Sequence, residues 1–162
     1  YKRQLQYFID KKLNTRWDRI VYKDSSLQKT AEALANDYED ITGKSIAVVK
    51  GESKAGDITL ALTKDKSLGL QDEGYLMDID DSINIKAETT TGAYWATRTI
   101  LQSIKQSGNV PCGTTRDYPL YKVRSFSLDV GRKTFTMDYF MMPSTGTISI
   151  MKPSIPLILF SI

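Results

Sequence analysis

Two side chains late in the sequence, Asp129 and Arg132, stand where polar chemistry is most easily built. Phe126, Leu128 and Val130 alternate along one face of a strand predicted over residues 123–130. Asp129 falls near its end, Gly131-Arg132-Lys133 interrupts it, and Thr136-Met137-Asp138-Tyr139-Phe140 reads as the start of a helix. A strand that ends in an Asp and an Arg and leads into a helix is how a parallel barrel begins a βα unit.

The other candidates are weighed by what their spacing permits. Asp72-Glu73 is a carboxylate pair in letters, but it sits between Leu70-Gln71 and Gly74-Tyr75 and reads as a solvated loop. Asp78, Asp80 and Asp81 are rich in oxygen ligands yet lack the spacing, glycine and terminal glutamate of a calcium loop, so they read as a charged hairpin turn. Cys112 is the single cysteine; it excludes an intrachain disulfide, and with no evident partner base it reads as a packing residue. Tyr94 and Trp95 could stack on a sugar, but their place beside Ala93 and Ala96 on a helix favours packing. Lys64-Asp65-Lys66 is a solvated turn. The chain has no histidine, which removes Ser-His and Cys-His catalysis and the usual zinc patterns from these residues. No metal and no cofactor is expected.

Around these residues the composition is that of an ordinary globular chain, 41% hydrophobic and 25% charged over 162 residues. A net charge of +3, with Lys and Arg scattered, gives no basic stripe for nucleic acid. Residues 1–16 form a polar lead with Leu5, Phe8, Ile9 and Leu13 at helical spacing, which predicts a short amphipathic helix. Trp17 is expected to cover the open edge of the sheet. Arg19-Ile20-Val21-Tyr22 is a strand, and Asp24-Ser25-Ser26 is set to cap the helix that follows. That helix carries Leu27, Ala31, Leu34, Ala35, Tyr38 and Ile41 on one stripe and stops at Gly43.

Strands are predicted over 45–49 and 58–63, then over 75–79 and 83–87 with a tight turn at Asp80-Asp81-Ser82. A second helix opens at Thr89-Thr90-Thr91-Gly92, buries Ala93, Ala96, Thr97, Ile100, Leu101 and Ile104, and closes at Gly108. Asp117-Tyr118-Pro119 reads as a turn. The order gives an α+β domain over 17–115, a small mixed or antiparallel sheet with two helices able to cover one face. Residues 116–142 then form a junction and the truncated start of a TIM barrel, and 143–162 an atypical tail.

Two runs resemble glycoside hydrolase family 20, the β-N-acetylhexosaminidases and lacto-N-biosidases. Asp117-Tyr118-Pro119, Arg124-Ser125-Phe126 and Leu128-Asp129-Val130-Gly131-Arg132 match the segment that leads from a small α/β domain into the first strand of the catalytic barrel, with Ser125 in place of the usual glycine. Glu73-Gly74-Tyr75, Ile83-Asn84-Ile85 and Gly92-Ala93-Tyr94-Trp95 through Leu101-Gln102 resemble the family's non-catalytic domain, with Ala96 where glycine is common. The pattern covers roughly residues 17–140. The resemblance implies hydrolysis of a terminal β-linked N-acetylhexosamine with retention, the substrate's own acetamido oxygen acting as nucleophile. It further implies that in an intact barrel Arg132 holds hydroxyls of the −1 sugar, for which its planar fork of donors is suited, with Asp129 as its support; in this chain alone Arg132 is expected to be solvated or paired with Asp129. A catalytic Asp-Glu pair after His-x-Gly-Gly, which the family carries on a later barrel strand, does not occur in this sequence.

Beyond Phe140 the sequence departs from the family. Pro143 comes early for a first barrel helix, and Pro153 and Pro156 punctuate an apolar run that Lys152 also interrupts, too short for a membrane span. That tail resembles out-of-frame translation or the end of a truncated gene. A TIM barrel needs roughly 200 residues or more, so none is expected to close here. The expectation is therefore a glycosidase piece, inactive by itself, whose parent acts on glycans ending in N-acetylhexosamine and whose partner is the missing barrel. The resemblance implies a bacterial extracellular or cell-surface setting, and no secretory leader starts at Tyr1. The alternative is a stand-alone glycan-binding or interaction domain of the same fold, working through an exposed sheet face and an aromatic platform. Phe126 and Leu128 on an unfinished barrel strand would be sticky and promote association.

Overall fold

Apolar residues at every second position make most of the strands, and apolar stripes of helical period make the two helices. The computed structural model describes the backbone of residues 3–14 and residues 17–121 in full. In chain order the elements are β1 (Arg3–Asn14), β2 (Arg19–Tyr22), α1 (Gln28–Thr42), β3 (Ala47–Lys50), β4 (Ile58–Leu62), β5 (Tyr75–Ile79), β6 (Ile83–Ala87), α2 (Thr90–Ser107) and β7 (Val110–Pro119). The chain divides into two compact units, 1–120 and 121–162, and this fold belongs to the first. Asp129 and Arg132, the predicted strand 123–130 with Phe126 and Leu128, and the tail lie outside the described residues.

The seven strands form one mixed sheet in the order β1-β7-β5-β6-β4-β2-β3. β3, β2, β4 and β6 run parallel to their neighbours, while β5 and β7 return antiparallel and β1 pairs antiparallel with β7. Register aligns the apolar positions: Ile20 lies opposite Ile58, Ile58 opposite Ile83, Leu60 opposite Ile85 and Ile85 opposite Met77. These side chains and both helices make one buried cluster, so the helices cover one face of the sheet as expected for an α+β domain.

The helix stripes hold with two adjustments. All six residues expected inward on α2 are buried. On α1, Ala31, Leu34 and Tyr38 are buried, but Ala35 is only half-buried and Ile41 is 38% exposed. Both helices stop at a left-handed glycine, Gly43 (φ 71°) and Gly108 (φ 73°), whose N–H bonds back to Glu39 and Ile104.

Three expectations are corrected. Residues 3–14 are a strand, not a helix: the backbone pairs with β7 from Arg3 opposite Pro119 to Asn14 opposite Val110, with an irregularity between Ile9 and Leu13. Long-range pairing supplies every other backbone group with a partner and overrides helical spacing. Asp117-Tyr118-Pro119 is the end of β7, not a turn, because Asp117 pairs with both Tyr75 and Leu5 across the sheet. Asp24 does not cap α1: the helix is entered through a 3-10 turn, Ser25–Leu27, and the Asp24 carboxylate accepts the Leu62 N–H instead at 3.3 Å. Trp17 is buried in the helix-side cluster, its ring edge-on to Tyr38 at 6.4 Å between centroids.

Candidate functional site

Hydrolysis of a glycosidic bond asks for a carboxyl that can hold a proton near neutral pH, which burial or like charge must raise. The described carboxyls that shift all move the other way. The Arg19 guanidinium holds Asp57 below the usual carboxylate range, with the Lys54 N–H adding to it. Ser67 does the same for Asp65 through its hydroxyl and N–H. Glu88 is held down by the Lys66 ammonium and by the Leu70 and Gln71 N–H groups. Each is a fixed anion with a structural task. Asp57 is 1% exposed and takes Arg19 through both oxygens at 3.0 and 2.6 Å, closing the loop ahead of β4.

The residues singled out in the sequence fall into the same pattern. Asp72 is exposed and Glu73 half-buried in the loop before β5, and the Asp72 carbonyl accepts the Thr89 hydroxyl. Asp78 accepts the Thr114 hydroxyl at 2.7 Å, and the Asp80 N–H donates to the Ser82 carbonyl at 2.9 Å, closing the hairpin. Among the described residues, no three His, Cys, Asp or Glu side chains are grouped to hold a metal ion. Cys112 is buried with its Sγ 3.8 Å from the Asp80 carbonyl. Tyr94 and Trp95 are half-buried and edge-on to each other, and Arg98 lies 4.6 Å over the Tyr94 ring while pairing with Asp37 of α1. Of these, the Arg98–Asp37 pair ties α2 to α1.

Gly74, Tyr75 and Gly92, three of the residues that carried the family resemblance, meet at one tight junction. Thr89 caps α2 by accepting the Gly92 N–H at 3.1 Å. A Cβ on Gly92 would sit 2.3 Å from the Gly74 carbonyl oxygen, and one on Gly74 would sit 2.0 Å from that of Leu70. Beside them Tyr75 is fully buried and shares a 2.7 Å hydrogen bond with the Thr99 hydroxyl of α2. Sequence reasoning missed Glu88, Arg116, Arg19 and Asp57. Except for the Lys54 N–H that Asp57 takes three residues away, the atoms they hold lie far along the chain, as much as 48 positions distant, which leaves no local signal for those contacts.

Comparison with known proteins places the chain in a family. Residues 12–118 match the family model described as glycosyl hydrolase family 20, domain 2. The chain is 30% identical over 112 residues to a lacto-N-biosidase of Bifidobacterium bifidum, covering 68% of this chain but 10% of that protein. The fold resembles the family 20 β-N-acetylhexosaminidase of Streptomyces coelicolor (TM-score 0.67, 26% identity, 82% of this chain and 29% of that one). It equally resembles the N-acetyl-β-hexosaminidase of Streptomyces plicatus, solved with Thio-NAglucal (TM-score 0.66, 27% identity, 82% and 28%). The chain thus spans a tenth to under a third of the length of these relatives. It belongs to glycoside hydrolase family 20, whose domain 2 makes up most of the residues described.

Proposed function

We propose that residues up to about 120 brace a catalytic barrel, that the barrel's first βα unit begins in the residues that follow, and that the parent enzyme removes a terminal β-linked N-acetylhexosamine, or lacto-N-biose, from glycans by substrate-assisted, retaining hydrolysis. The observation that carries this is the convergence of Gly74, Tyr75 and Gly92 on a packing junction: the domain's matching residues hold its own elements together, and its shifted carboxyls are fixed anions. The chemistry is left to residues of the barrel. There Arg132 would grip hydroxyls of the −1 sugar, supported by Asp129, and the chain alone would be inactive.

A glycan-binding module would need a platform of exposed rings. Among residues 17–121 the exposed large apolar side chains are Ile41, Val49, Leu120 and Tyr121, one ring among three aliphatic residues, which favours the bracing role. The family's glycan chemistry suits a bacterial protein working outside the cell or at its surface.

The test is hydrolysis of 4-nitrophenyl N-acetyl-β-glucosaminide. The chain alone should release no nitrophenol, and the same chain joined after Arg132 to the remaining barrel of the Streptomyces coelicolor enzyme should release it. In that chimera Arg132→Ala should cut kcat/KM by about a hundredfold, as the loss of a bidentate charged contact does. Turnover by the unjoined chain would overturn the proposal.

A further inference from the structure

The loop of residues 63–74, between β4 and β5, is held by side chains from two distant elements. On one side stand the residues that open α2. The Glu88 carboxylate, with its side chain 5% exposed, takes the Lys66 ammonium on one oxygen and the Leu70 N–H on the other at 3.2 Å, and the Gln71 N–H also bonds to it. The Thr89 hydroxyl donates to the Asp72 carbonyl, and Gly92 abuts the carbonyl of Gly74. On the other side stands the end of β7. Arg116 Nη2 donates to the Leu68 carbonyl at 2.6 Å, and a Cβ on Gly74 would meet the Tyr118 Cβ at 2.9 Å.

The loop itself is committed to this geometry. Leu70 is fully buried. Gln71 has φ 60°, the one non-glycine residue with positive φ among those described. Such a conformation persists where surroundings over-determine it. The Thr63 N–H bonds to the Ala87 carbonyl and a 3-10 turn occupies Lys66–Leu68, but beyond that turn the N–H groups of buried Leu70 and of Gln71 depend on Glu88.

We infer that loop 63–74 is a latch that couples the start of α2 to the last residues of β7, with the Glu88 carboxylate as the group that keeps it shut. Loss of that carboxylate orphans two N–H donors at once, and re-solvating them draws the Leu68 carbonyl away from Arg116. Arg116, Asp117 and Tyr118 then lose the side-chain hold that supplements their sheet pairing. The latch uses contacts within residues 63–119 alone and stands independently of the barrel proposal.

Amide hydrogen exchange on the full chain tests it. In Glu88→Gln, which keeps the size but offers a single acceptor, exchange should rise together at Leu70, Gln71 and residues 116–118 by about tenfold, while β2 and β4 keep their protection. Arg116→Met should raise exchange at Leu70 and Gln71 in return. Lys66→Met should change neither region, because that ammonium is largely solvated. A rise confined to the loop, an equal rise through β2 and β4, no rise at all, or a Lys66→Met profile matching that of Glu88→Gln would each overturn the latch.

Discussion

Gly92 and Gly74 are in backbone contact: the Cα of the first, at the opening of α2, faces the carbonyl oxygen of the second so closely that a Cβ would sit 2.3 Å from it. No side chain can give way there, because the obstacle is main chain. Gly92→Ala should therefore destabilise the domain by about 1–3 kcal/mol, the range for forced overpacking. Gly74→Ala should cost at least as much, since its Cβ would lie 2.0 Å from the Leu70 carbonyl. Urea unfolding measures both; midpoints unchanged from wild type would mean the two segments can part freely.

Tyr75 offers a cleaner measurement at the same junction. Its ring is fully buried and its hydroxyl bonds to Thr99 at 2.7 Å. Tyr75→Phe keeps the packing and removes the bond, so a loss of about 1 kcal/mol is expected. The double variant with Thr99→Val should cost less than the sum of the two single changes.

Stability should fall in acid partly through Asp57. Its carboxyl is held below its ordinary value of 3.8, first by the hydrogen bond from Arg19. A depressed folded-state pKa gives stability that is present above the unfolded value and is lost as pH falls through the folded one. Asp57→Asn should therefore lower Tm most at about pH 6, with the gap to wild type closing as pH drops below about 4. A gap that stays constant over that range would show that the charge contributes nothing.

The two edges of the α1 stripe can be separated by truncation. Leu34 is fully buried, and Leu34→Ala should cost about 2–5 kcal/mol through lost contact and the cavity left behind. Ile41 is 38% exposed at the last turn, and Ile41→Ala should stay within about 0.5 kcal/mol of wild type. Thermal or urea unfolding of the pair reads the difference.

Much of the fold was legible because its signals are periodic. The α2 stripe from Ala93 to Ile104, the alternation Ile83-Ile85-Ala87 and the left-handed stops at Gly43 and Gly108 follow from local sequence, and the observed elements agree. What failed was long-range. Leu5, Phe8, Ile9 and Leu13 carry a helical spacing, yet the chain there is a strand because β7 is available to pair with it. Pro119 looked like a turn-former, yet it is the last residue of β7, where its missing N–H helps end the ladder. Asp24 looked like a cap, yet it serves Leu62, 38 residues away. For the site, the resemblance identified the family, and the physical roles of Gly74 and Gly92 needed coordinates. Asp129 and Arg132 fall beyond the residues described, so their roles rest on the proposal above.

The pairing of β1 with β7 has a consequence for biosynthesis. Arg3 lies opposite Pro119, so among the described residues β1 finds its sheet neighbour more than a hundred positions later, at the far end of the same unit. The helices and β2 to β6 can assemble while translation continues, but β1 must wait unpaired until β7 has emerged. Such distant pairing is slow to form and exposes a strand edge meanwhile. A chaperone acting on the nascent chain would therefore find its target at β1, and slowing translation after residue 119 would favour correct closure of the sheet.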